Sequence, residues 1–136
     1  MTRRRPAPRK GAAAVELAFL LPVLAFLFVL AVDYSRLFYY SLTVNNCARN
    51  GALYLSDPYR QAKSPYANVT AAALADAPNL APAPTVSSAS GSDKGGNYVT
   101  VTVSWNFQTV TNFPGVPRTT TITRTVRMNV APQNPQ

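Results

Sequence analysis

The sequence predicts an α+β protein: a long N-terminal transmembrane helix continues into an exported amphipathic helix, which packs on a small antiparallel β-sheet. Three patterns carry this expectation. The first is an almost unbroken apolar run from Ala12 to Val32, and the second is an apolar stripe at three- and four-residue spacing from Leu37 to Leu55. The third is a change to period two after Asn97. The chain has 136 residues, which leaves room for one small domain beyond a membrane segment and excludes a large enzyme core.

Residues 1–11 read as a basic cytoplasmic leader. Five of the thirteen cations, Arg3, Arg4, Arg5, Arg9 and Lys10, fall within its first ten residues, so the formal charge of +8 is concentrated at one end. That concentration fits membrane topology rather than nucleic-acid binding, because no nucleic-acid-binding fold or aromatic platform accompanies it. Residues 12–33 form the expected membrane span. About 20 apolar residues at ~1.5 Å rise cross a ~30 Å hydrocarbon core. The cations before the span set the N-terminus in the cytoplasm and everything after about Tyr34 outside it. Tyr34, Phe38, Tyr39 and Tyr40 follow the run, where amphipathic rings favour the headgroup layer. Pro22 reads as a tolerated kink.

Residues 34–56 continue the helix without a Pro or Gly from Asp33 to Asn50. Leu37, Tyr40, Val44, Cys47, Ala48, Ala52 and Leu55 make one stripe, in which Cys47 reads as a small packing residue. Residues 57–96 read as a linker holding one short helix, with Ser64 as N-cap, Pro65 in its first turn and an end near Ala75. A short strand is expected over Thr85 to Ala89, with Gly91 to Gly96 as the turn after it. Residues 97–131 hold two long antiparallel strands. Val99, Val101, Val103, Trp105 and Phe107 face one way on the first. On the second, Ile122, Val126, Met128 and Val130 do so, with Arg124 as the exception on that apolar face, and Asn112 to Arg118 connect the two. The helix stripe is the cover these faces need.

The chemistry-bearing residues are few. There is no His, one Cys and one Glu, so metal ligation, His-based proton transfer and paired-carboxylate catalysis lack their usual groups. We expect no enzyme activity, no cofactor, no metal, no nucleic-acid partner and no small-molecule substrate. Asn68-Val69-Thr70 matches a glycosylation sequon, a pattern too short to assign a role. Glu16 stands out, because a carboxylate five positions into an apolar run costs a few kcal/mol unless partnered.

The string RKGAAAVELAFLLP, with Gly11 at the polar–apolar boundary and Glu16 five residues beyond it, resembles the class III prepilin signal. It is more closely similar to the start of the TadE-like pseudopilin family of the tight-adherence pilus system. The resemblance extends through Asp33 to Tyr39 and Asn45 to Ala52. It implies cleavage by a prepilin peptidase between Gly11 and Ala12, a new α-amine on Ala12 and Glu16 as the fifth mature residue. It also implies that Glu16 neutralises the amine of a neighbouring subunit, with other pilins or pseudopilins as partners in the bacterial inner membrane. Leu17 stands where major pilins of this system tend to carry Tyr, and Ala12 replaces the Phe or Met common at the first mature position elsewhere. Together with an exported domain of roughly 80 residues, these departures suggest a minor pseudopilin that contributes to pilus or secretion-filament assembly. The alternative is a signal-anchored envelope protein whose β domain is a binding module. A cleaved secreted protein fits least, since the apolar run exceeds a usual signal h-region.

Overall fold

In the computed structural model of the chain, which describes residues 10–110 and 117–132, one helix dominates. Helix α1 runs over Lys10–Ser56, followed by α2 (Pro58–Ala62), α3 (Val69–Leu74) and strands β1 (Thr85–Asp93), β2 (Gly96–Gln108) and β3 (Thr119–Asn129). The strands form one antiparallel sheet in the order β1-β2-β3. The leader through Arg9 and most of the connection expected over Asn112 to Arg118 lie outside the described residues.

The two halves of α1 have opposite surroundings. From Gly11 to Phe28 every residue is exposed, with Phe19 78% and Phe28 70% accessible, so nothing in the described chain covers this half. This half is long and apolar enough to cross a membrane, and no other helix among the described residues is. Its backbone groups are paired within the segment, as a lipid environment demands. The distal half instead carries the core: Val44, Cys47, Ala48 and Ala52 are fully buried against Val101, Val103, Trp105, Phe107 and Ile122. Leu37, Tyr40 and Leu55 pack at the edges of this cluster, so every residue of the predicted stripe belongs to the core or packs against it.

Backbone register explains why the sheet has one wet and one dry face. Val101 pairs with Val126, Trp105 with Ile122 and Val99 with Met128 on the helix side. On the other side Thr102 shares a hydroxyl hydrogen bond with Thr125 (2.9 Å) and Ser104 with Thr123 (3.0 Å), while the Thr121 hydroxyl donates to Asn106 Oδ1 (2.9 Å). Such cross-strand pairs each contribute a few tenths of a kcal/mol to about 1 kcal/mol. Arg124, the cation on the apolar face, lies opposite Val103 and escapes burial by donating from Nη2 to Ser41 Oγ on α1. Gly51 is the point where three elements meet: a Cβ there would lie 3.0 Å from Val101 Cγ1 on β2 and 3.2 Å from Ala73 Cβ on α3.

Three local expectations need correction. The single helix expected from Ser64-Pro65 is replaced by two. Asp57 caps α2 by accepting from the N–H groups of Tyr59 and Arg60, and Asn68 caps α3 by accepting from Ala71 N–H at 2.8 Å. Ser64 instead accepts from Tyr66 N–H in a local turn. β1 extends to Asp93 rather than Ala89, which narrows the turn to Lys94 and Gly95, closed by Gly96 at φ +103°. Finally, α1 is already helical at Lys10, two residues before the expected start.

Candidate functional site

Gly11, Ala12 and Glu16 all lie in the first two turns of α1 and are exposed. Gly11 has open space around it, with no atom within 4 Å of the position a Cβ would take. The backbone at the Gly11–Ala12 bond is therefore helical and unobstructed by the rest of the described chain. Glu16 makes no hydrogen bond or ion pair with another described residue, so any partner for its carboxylate lies beyond them. Bringing Gly11, Ala12 and Glu16 together requires only the helix itself, since one turn separates Ala12 from Glu16.

Helical geometry also places Glu16 relative to the rest of the rod. Glu16 and Tyr34 are eighteen residues apart, which is about five turns, so the two share one side of α1. Leu20, Val23, Leu27 and Ala31 connect them at three- and four-residue steps, and Phe38 extends the line by one more turn. Tyr34 and Phe38 are 73% and 63% accessible. The sheet covers a different side, about a quarter turn away, through Leu37, Tyr40 and Val44. The Glu16 side of α1 is thus exposed at Glu16, Leu20, Val23, Leu27, Tyr34 and Phe38.

Asp33 is a residue whose importance the sequence does not announce. At 7% accessible it is the one buried charged residue among those described. Its Oδ1 accepts from Val110 N–H at 3.0 Å and from Arg36 Nη1 at 3.3 Å. The Arg36 guanidinium in turn sits 5.4 Å from the Phe107 ring centroid and 6.0 Å from that of Tyr40. A carboxylate at the first polar position after the apolar run therefore ties the far end of β2 to the helix where it leaves the membrane. The only sequence signal was that Asp33 ends the apolar run; its partner lies 77 residues away.

Cys47 is buried and free. Burial, assisted by the Asp76 carboxylate, holds its thiol above the ordinary cysteine range, which suits packing and not redox chemistry. Among the described residues no group of three or more His, Cys, Asp or Glu side chains could hold a metal ion.

A family model described as TadE-like protein matches residues 11–53. The matched segment is coextensive with α1 to within a few residues at each end, so the similarity to TadE-like proteins covers the long helix and the sheet lies outside the match. No curated protein and no solved structure matches the chain.

Proposed function

We propose that this TadE-like chain is a minor pseudopilin, a structural membrane protein without catalytic activity that contributes to assembly of a tight-adherence-type pilus or secretion filament. The observation that carries the reading is the coincidence of the TadE-like match with a helix that has a bare apolar half and a single carboxylate, Glu16, near its start. In this reading the N-terminus lies in the cytoplasm, the sheet domain outside the bacterial inner membrane, and a prepilin peptidase cuts between Gly11 and Ala12. The amine so created on Ala12 is as costly in lipid as the Glu16 carboxylate, and pairing between neighbouring subunits relieves both. The open side of α1 that holds Glu16, Leu20, Val23, Leu27, Tyr34 and Phe38 offers a surface for a neighbouring pilin helix, where van der Waals packing replaces the hydrophobic effect.

Intact mass and N-terminal sequencing of protein purified from cells containing a prepilin peptidase test this reading. The expected chain begins at Ala12, and a bulky replacement of Gly11 blocks processing. Glu16→Gln should be processed yet fail to assemble, because it keeps the helix apolar while removing the amine's partner. A chain retaining its leader, together with a fully functional Glu16→Gln variant, would favour an ordinary signal anchor that tethers a binding domain.

A further inference from the structure

Where the sheet meets the helix at the end of the apolar run, the chain leaves a groove of about 510 Å³, within the range that accommodates a drug-sized molecule. Leu30, Ala31 and Tyr34 form its helix wall, while Leu37 and Phe107 line its buried side. Thr109, Pro117 and Thr120 border it from the sheet. Two of the wall residues, Leu30 and Ala31, belong to the apolar run itself. Leu30 lies three residues before Asp33, so the groove begins about 4.5 Å, almost one helical turn, on the membrane side of that carboxylate.

We propose that this groove takes an acyl chain of a membrane phospholipid, so that lipid rather than water seals the membrane-facing end of the sheet domain. The occupant follows from continuity: a groove whose wall includes part of the membrane span opens into the hydrocarbon that surrounds the span. Its chemistry fits as well. The Asp33 carboxylate already accepts from Val110 N–H and Arg36, so a hydrocarbon occupant does not strip that group of its partners, which is the usual cost of apolar contact. Tyr34, 73% accessible, carries an apolar ring with a polar tip, the side chain that membrane interfaces favour. Water in the same groove would face mostly carbon. The inference needs α1 to span a membrane, and it does not depend on processing at Gly11 or on filament assembly.

The test is photocrosslinking of the full chain in vesicles of phosphatidylethanolamine and phosphatidylglycerol, doped with phosphatidylcholine that carries a diazirine on one acyl chain. Adducts mapped by mass spectrometry are expected on Leu37 and Thr120, beyond the apolar run, as well as on Phe19 and Phe28 within it. Thr120→Trp and, independently, Ala31→Trp fill the groove from opposite walls. Each should abolish the Leu37 adduct and leave those on Phe19 and Phe28 unchanged, with continued protection of Cys47 from thiol reagents reporting an intact fold. Adducts confined to residues 12–32 would overturn the proposal, since water, another part of the chain or a second copy would then occupy the groove. A Leu37 adduct that survives both substitutions in folded protein would overturn it too, because lipid would be touching the helix without entering the groove.

Discussion

The two halves of α1 have one backbone and opposite solvents. Before Val29 the helix is apolar all round except at Glu16 and exposed from Gly11 onward, whereas after Asp33 it is apolar on one side, and that side is closed by a sheet that leaves Val44, Cys47, Ala48 and Ala52 without accessible surface. The difference lies in periodicity rather than in composition alone. An apolar surface without period calls for a solvent that covers every side, and an apolar stripe calls for one partner. The membrane half depends on lipid for its cover, and the distal half supplies its own.

The largest contrast comes from removing a large side chain from the sheet that closes the distal half and, separately, one from the bare half. Phe107→Ala should cost the sheet domain about 3–5 kcal/mol, because Phe107 is 1% accessible and contacts both Tyr40 and Trp105. Modification of Cys47 reads the effect: its thiol is buried and shifted away from the reactive thiolate, so labelling reports opening of the domain. Leu24→Ala, in the bare half, should leave the labelling rate unchanged. Equal sensitivity of the two would mean that the halves are not energetically separate.

Asp33 sits at the seam, and its removal should have an intermediate effect. Asp33→Ala leaves the Val110 N–H and the Arg36 guanidinium without this acceptor, at a cost of about 1–3 kcal/mol. Hydrogen exchange at the Val110 amide should accelerate before that of the β2 interior. Asp33→Asn retains an acceptor oxygen and should lose less. Unchanged exchange at Val110 in Asp33→Ala would show that the strand end is held by something else.

How much of the fold is legible in the sequence follows from where the information resides. The stripe from Leu37 to Leu55 and the inward faces of β2 and β3 were readable because periodicity of 3.6 or 2 is a local signal with a direct three-dimensional meaning. The caps were harder, because Asp57-Pro58 and Ser64-Pro65 offer the same N-cap and proline signature, and the choice fell to the carboxylate that accepts from two N–H groups. The length of β1 was also hidden: TVSSASGSD has Val86 as its one large apolar residue, and the strand persists to Asp93 because β2 offers nine consecutive pairing positions. Of the candidate site, the Gly11 and Glu16 spacing was visible as a motif, but the clasp at Asp33 was not, since no local pattern links it to Val110.

The smallest expected effect is farthest from the seam, in the β1–β2 turn. Asp93 accepts from Gly95 N–H at 2.8 Å and pairs with Arg127, which together hold its carboxyl below the usual aspartate range. A folded pKa below the unfolded value means that the charged form stabilises the fold. This contribution is fully present above the unfolded value of about 3.9 and is lost as the pH falls from there through the folded value. Asp93→Asn should therefore melt slightly below the parent at pH 6, with the gap closing toward pH 3. Both partners are exposed, so the gap is small. A gap that widens on acidification would contradict the assignment.

One continuous helix, α1, carries both halves and so fixes the sheet relative to the membrane span. Paired nitroxide labels at Leu24→Cys in the span and Thr125→Cys on the outer sheet face measure this directly by pulsed electron resonance in lipid bilayers, with buried Cys47 left unlabelled. A continuous α1 predicts a single narrow distance distribution that Asp33→Ala broadens only slightly. A broad distribution in the parent protein would mean that the chain bends or unwinds near Asp33, and that the sheet domain hangs from the membrane on a flexible tether.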